Sequence, residues 1–213
     1  YNAFEGCTAL KNVVIGDGVA YIRSNAFSGC RNLISVTIGS NVKTIESYAF
    51  DGAYHLVEVI NKSSLNIEKG STNNGYVAYY ALQVKSTGND GVVNKDGYLF
   101  YSCEDGVYLV GYEGNETDLI LPDDFNGNQY SIKYGAFYFL KNIRSVVISN
   151  GVIAIGDRAF LGCSNLLSVV IGENVASIGG TAFSGCEQLV EIINASSLNI
   201  VKGAEDNGRV GYY

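Results

Sequence analysis

The dipeptide Ala-Phe stands at Ala3-Phe4, Ala26-Phe27, Ala49-Phe50, Ala136-Phe137, Ala159-Phe160 and Ala182-Phe183, and within each trio the step is 23 residues. A unit of that length is one supersecondary element that cannot bury its own apolar face, so neighbouring copies must stack to create a continuous core. Between the Ala-Phe marks, the set Leu33, Val36, Ile38, Asn41, Val42 returns as Leu166, Val169, Ile171, Asn174, Val175. It returns again, with Gly at the Asn position, as Leu10, Val13, Ile15, Gly18, Val19 and as Ile143, Val146, Ile148, Gly151, Val152. Apolar residues at these intervals match the leucine-rich-repeat consensus, in which they point inward from a short strand and the Asn caps the following turn.

A longer period overlies the first. The segment from Ala3 to Tyr80 reappears 133 residues later, so that Ser63-Ser64-Leu65-Asn66-Ile67 returns as Ser196-Ser197-Leu198-Asn199-Ile200. The chain therefore divides into a first block of repeats (1–70), an insert (71–117), a second block (118–203) and the start of a second insert (204–213), expected to form one continuous elongated domain. Both ends read as cut from a longer array.

The fold class expected is a mainly β repeat solenoid, right-handed, with short far-side strands and turns. Strands stacked about 4.8 Å apart turn equivalent residues into ladders, and the inward ladder is Leu10, Leu33, Leu56, Ile143, Leu166, Leu189. No long amphipathic helical pattern lies between strand and Ala-Phe, and 26 Gly with a single Pro suit a chain that turns every few residues. In the insert, Asn94-Lys95-Asp96-Gly97 and Glu104-Asp105-Gly106 are turn signals around Tyr98 to Cys103 and Val107 to Tyr112, which predict a β-hairpin. Leu119 to Leu121 restores the repeat strand before a longer loop at Asp123 to Asn128.

The string Ala26-Phe-Ser-Gly-Cys30 with Leu33, Val36, Ile38 and Ile45, and the insert Asp96-Gly-Tyr-Leu-Phe-Tyr101 running to Leu119-Ile-Leu-Pro122, resemble the BspA-like leucine-rich repeats of bacterial and protozoan surface proteins. Glu113-Gly114 departs from the turn that usually follows the hairpin there. The resemblance implies a secreted or cell-surface interaction module, linked to adhesion to host or neighbouring-cell proteins. It fixes no ligand.

Charge narrows the partners. A formal net charge of -7 with 14 Lys plus Arg argues against nucleic acid or an anionic membrane surface, which need clustered cations. No apolar run is long enough for a membrane helix. Cys7, Cys30, Cys163 and Cys186 share one repeat position that Ala53 and Leu140 fill elsewhere, so the slot reads as a small buried hydrophobe. Cys103 stands apart in the insert.

No catalytic, metal or cofactor site is expected, because the one histidine, His55, lies on a turn with no partner set. Asp124-x-Asn126-x-Asn128 lacks the Gly placement and closing Glu of a calcium loop. Of the sequons at Asn61, Asn115 and Asn194, only Asn115 falls outside a ladder position.

The candidate ligand face is the set of outward strand positions. One stripe is polar: Asn12, Ser35, Glu58, Ser145, Ser168, Glu191. The other is almost entirely β-branched: Val14, Thr37, Ile60, Ile120, Val147, Val170, Ile193. An apolar strip of this kind marks a partner surface when unfilled, although β-branched residues also suit strands for packing reasons alone. The hairpin adds Tyr98, Phe100, Tyr101, Tyr108 and Tyr112, which serve either ligand contact or packing on the repeats. The expected function is a non-enzymatic adhesion or interaction module for a host matrix or cell-surface protein, extracellular or surface-displayed. The alternatives are a structural spacer or self-associating stalk, and glycan binding by the hairpin tyrosines.

Overall fold

The computed structural model describes residues 1–88 and 91–212, which group into two compact units, Tyr1–Gly91 and Val92–Tyr213. In the first unit the repeat strands are β1 (Asn12–Val14), β3 (Ser35–Ile38), β5 (Glu58–Asn61) and β6 (Gln83–Lys85); the far-side strands β2 (Tyr21–Ile22) and β4 (Thr44–Ile45) come between them in sequence. β1, β3, β5 and β6 form a parallel four-stranded sheet in that order, while β2 pairs with β4. Successive strands are related by a full coil, so Asn12, Ser35, Glu58 and Gln83 stand in line, as do Val13, Val36, Val59 and Val84. Strands of two to four residues follow from the sequence, because each apolar alternation is cut short by a Gly, Asn or Asp turn.

The Val ladder points inward, where it meets Leu33, Leu56, Phe27 and Phe50 in one apolar cluster. Phe4, Phe27 and Phe50 stack with ring centroids 5.1 and 5.0 Å apart, close to the roughly 4.8 Å spacing of the strands. Their backbones are coupled as well, Phe4 N–H donating to Ala26 O and Phe27 N–H to Ala49 O, each at 2.7 Å. The small Ala side chain permits that approach. Asn41 behaves as the consensus requires, its Nδ2 donating to Asp17 O of the preceding coil at 2.7 Å; Asn174 does the same to Asn150 O.

The second unit contains β7 (Val93–Lys95), β8 (Tyr98–Cys103), β9 (Gly106–Tyr112), β10 (Asp118–Ile120), β11 (Tyr130–Ile132), β12 (Ser145–Ile148), β13 (Val152–Ile155), β14 (Ser168–Ile171), β15 (Ser177–Ile178) and β16 (Glu191–Asn194). β10, β12, β14 and β16 make the parallel repeat sheet. The far side is a six-stranded sheet in the order β15-β13-β11-β9-β8-β7. The hairpin β8–β9 forms where the turn signals place it, but it is no appendage: β9 continues the sheet parallel to β11, pairing Tyr108 with Ser131 and Leu109 with Ile132. Phe100, fully buried, lies 4.4 Å from Phe125 and edge-on to Tyr130. The hairpin thus covers one end of this unit's apolar stack, as a capping repeat does in a solenoid.

Two sequence expectations meet a different structure. The insert, expected to begin at Ser71, begins later, because residues through Lys85 complete a further coil whose strand is β6. Its turn at Asn74–Tyr76 carries Gly75 in place of Ala-Phe, with φ +61 and its carbonyl accepting Phe50 N–H at 2.8 Å. A Cβ there would sit 2.3 Å from Glu46 O, so only glycine lets this coil close. The cysteine slot holds buried, unbridged thiols at Cys30, Cys163 and Cys186, while Cys7 of the first coil is exposed. Each buried Sγ–H reaches back to the Phe carbonyl of the preceding coil: Cys30 to Phe4 O at 3.1 Å, Cys163 to Phe137 O and Cys186 to Phe160 O at 3.2 Å. Burial pushes the Cys186 thiol up to about 12 and Cys163 well above its ordinary range, which keeps both protonated and unreactive.

One repeat position is locally strained. Gly29, Gly52, Gly162 and Gly185 all adopt positive φ two residues after the repeat Phe, and Phe139 fills that slot at φ +57. A non-glycine residue in the left-handed region costs about 1–2 kcal/mol. Phe139 is 43% exposed, so its ring recovers little of that cost. Phe139→Gly is expected to raise the thermal midpoint, by up to about 1 kcal/mol after the extra chain entropy of glycine. A lowered midpoint would show that the ring's contact with Gly162 outweighs the strain.

Candidate binding face

The registers that align the inward ladder also align the outward one, so the side chains expected to form a face do lie in line. In the second unit the sequence is Ile120, Val147, Val170, Ile193, with Asp118, Ser145, Ser168 and Glu191 two residues earlier on each strand. Ile120 is 71% and Ile193 53% exposed, and Val147 and Val170 are half-buried between them. Side-by-side contact within the ladder accounts for the partial cover of the two middle residues, and their outer faces remain in solvent.

The polar stripe is partly internally bonded. Ser145 Oγ donates to Asp118 Oδ1 at 2.6 Å, and this hydroxyl, with that of Thr117, holds the Asp118 carboxyl below the usual carboxylate range. In the first unit Ser35 Oγ donates to Asn12 Oδ1 at 2.7 Å. Glu191 is exposed.

The first unit departs from expectation. Val14 is 77% exposed and Thr37 half-buried, but Ile60 and Glu58 are buried, Glu58 to 1%. The reason is the coil that sequence reading assigned to the insert. β6 lies alongside β5 and brings Lys85 into the apolar ladder beside Ile60, from where its Nζ meets Glu58 Oε1 at 2.6 Å. Glu58 and Ile60 are therefore no part of an exposed strip, and Gln83 and Lys85 are outward-ladder residues that the period alone did not reveal.

The hairpin tyrosines also sit differently. Tyr98 and Tyr101 are buried, and Tyr108 and Tyr112 are half-buried. Tyr98 donates its hydroxyl to Ile120 O at 2.9 Å, and burial pushes its phenol up to about 12. Tyr112 packs on Tyr98 and receives Glu116 N–H at its hydroxyl. A hairpin embedded in a sheet uses both its faces for packing, which is why four tyrosines yield no outward patch.

The remaining polar candidates face their own backbone. In the loop 123–128, Asp124 Oδ1 accepts Gly127 N–H and Asn128 Nδ2 donates to Asn126 O. Among the described residues no group of three His, Cys, Asp or Glu could hold a metal ion, and no helix is long and apolar enough to cross a membrane. Asn61 and Asn194 turn their amide nitrogens to Leu65 O and Leu198 O at 2.8 Å, whereas Asn115 is exposed.

Comparison with known proteins gives solved structures of low sequence identity. A leucine-rich cell surface protein from Faecalibacterium prausnitzii A2-165 is 18% identical, over 92% of this chain and 62% of that one, at a TM-score of 0.33. A Treponema pallidum leucine-rich repeat protein is 20% identical, with the same coverage of each chain and a TM-score of 0.32. The pneumococcal vaccine antigen PcpA is 17% identical over 91% of this chain and 53% of that one, at a TM-score of 0.44. This chain thus spans between about half and three fifths of those proteins' lengths. No curated protein matches it. The family model described as the BspA type leucine-rich repeat region matches residues 1–105 and 118–204 in 6 copies. Those residues take in the coils, the Phe stacks and the strand ladders described above, and the chain belongs to the BspA-type leucine-rich repeat family.

Proposed function

We propose that this chain is a non-enzymatic protein-binding module of a secreted or cell-surface protein, and that it engages a host matrix or neighbouring-cell protein through the outward ladder Ile120, Val147, Val170, Ile193. The observation that carries the reading is an in-register, solvent-facing row of β-branched side chains whose end members are 71% and 53% exposed. Exposed contiguous apolar surface bordered by polar residues is the usual character of a partner site, and the stripe Asp118, Ser145, Ser168, Glu191 supplies that border. Family membership supports the surface location and the adhesive role. Val14 and Thr37 extend the same chemistry in the first unit.

The test is label-free binding of immobilised extracellular-matrix proteins to the native chain and to the double variant Val147→Lys, Val170→Lys. Placing two charges at the centre of an apolar interface typically costs 2 kcal/mol or more, so affinity is expected to fall by roughly thirtyfold or beyond. Thermal unfolding of the variant serves as the control, and a variant that binds as the native chain does would exclude this face.

A further inference from the structure

The two blocks are duplicates in backbone, but one region of the first carries side chains that the second lacks. Tyr48, Tyr76, Tyr79, Tyr80 and Tyr54 form an unbroken chain of ring contacts in the first unit. Tyr48 and Tyr76 stack at 5.6 Å and 16°, and edge-on contacts follow between Tyr76 and Tyr79 at 5.4 Å, Tyr79 and Tyr80 at 4.8 Å, and Tyr80 and Tyr54 at 5.1 Å. Tyr48 is 53% and Tyr79 40% exposed, and the other three are half-buried. At the positions 133 residues on, Tyr48, Tyr54 and Tyr76 become Thr181, Glu187 and Arg209.

The fold does not require the tyrosines. Phe50 N–H donates to Gly75 O at 2.8 Å in the first block, and Phe183 N–H donates to Gly208 O at 2.8 Å in the second. Tyr76 and Arg209 occupy the same backbone state, φ +66 and +63. The contact of Tyr76 with Tyr79 is replaced in the second block by Arg209 over the Tyr212 ring at 5.6 Å.

Strain points the same way. Tyr48 holds φ +59 at a repeat position where Asn2, Asn25 and Gly135 also have positive φ. Asn and Gly visit that region at little cost, whereas a bulky aromatic there is a genuine outlier. Two stacked tyrosines, both in the left-handed region and both replaceable, are retained for something other than folding; strain of this kind collects at binding sites.

We propose that this tyrosine chain is a binding platform for a neutral oligosaccharide, distinct from the strand ladder. Phenol rings offer apolar faces for the C–H face of a pyranose, and their hydroxyls exchange hydrogen bonds with its hydroxyl groups. The five ring side chains carry no charge, whereas the second block places Glu187 and Arg209 at two of the same positions. The net charge of -7 disfavours anionic glycans. A row of five rings is long enough to meet more than one sugar unit.

Isothermal titration of the full chain with cellohexaose and with maltohexaose tests this. At least one hexasaccharide is expected to bind the native chain. The triple variant Tyr48→Thr, Tyr54→Glu, Tyr76→Arg installs the second block's own residues on a backbone that accepts them, and it is expected to lose at least about tenfold in affinity. The ladder variant Val147→Lys, Val170→Lys should bind sugar unchanged, so failure here and failure of the protein-binding reading are separable. Binding of neither hexasaccharide to the native chain, or equal binding by the triple variant, would overturn the proposal. So would loss of matrix-protein binding in the triple variant with no effect on sugar, which would assign the tyrosines to a protein interface.

Discussion

Phe160→Ala is expected to destabilise the second unit by about 3–5 kcal/mol, the range for removing a fully buried aromatic ring from a close-packed core. Phe160 is the middle member of a stack, 4.7 Å from Phe137 and 5.0 Å from Phe183 and nearly parallel to both. All three rings are fully buried. Neighbouring coils are pinned at the strand spacing by backbone bonds from Phe137 N–H to Ala159 O and from Phe160 N–H to Ala182 O, so they cannot collapse into the space. The cavity therefore persists and adds to the lost transfer energy. Phe4→Ala is the control. That ring belongs to the same repeat position but is 48% exposed, and its removal should cost much less. Urea unfolding monitored by tyrosine fluorescence measures both, and equal losses for the two variants would show that the stack is not the main element of cohesion.

The second large effect concerns Lys133, 4% exposed and just beyond β11. Burial disfavours the ammonium and lowers the amine from 10.5 to about 7. Between those two values the unfolded chain binds more protons than the folded one, so stability rises with pH across the window of about 7 to 10.5. Below about pH 7 the folded state bears the whole cost of a charged buried amine, up to about 5 kcal/mol at about 1.4 kcal/mol per pH unit. Lys133→Met keeps the length and removes the charge. It should raise the urea midpoint at pH 6 by an amount worth several kcal/mol and flatten the rise between pH 7 and 10. Native and variant profiles that stay parallel across that range would mean that the amine reaches water.

The fold was legible because stacking repeats the same physical demand every 23 residues: the inward Val and Leu positions, the Ala-Phe pair and the Asn cap each recur in step. The hairpin was legible from its turns. Its destination was not, because a strand pattern with Tyr98, Phe100 and Tyr101 reads alike whether the hairpin lies on a solenoid or inside its sheet. Gly75 hid a coil by replacing Ala-Phe with a different closure, and with it went the Lys85 partner that buries Glu58. Lys133 was invisible for a similar reason. Arg23, Glu46, Gly156 and Gly179 occupy the equivalent position, which looks tolerant until β9 lies against it, Lys133 N–H donating to Leu109 O. The tyrosine chain joins residues from 48 to 80 that share no spacing, and only the comparison of the two blocks in three dimensions isolates it.

Most backbone hydrogen bonds of each unit join one coil to the next, and this determines how a unit answers a pull along its stacking direction. A coil of 23 residues stores about 80 Å of extended chain in a rise of about 4.8 Å. Tension falls on one intercoil seam at a time, because each coil touches only its neighbours. Surrendering a single coil lengthens the molecule more than tenfold over the rise it occupied, while the remaining coils keep their ladders. A module that tethers two moving surfaces can in this way yield without letting go.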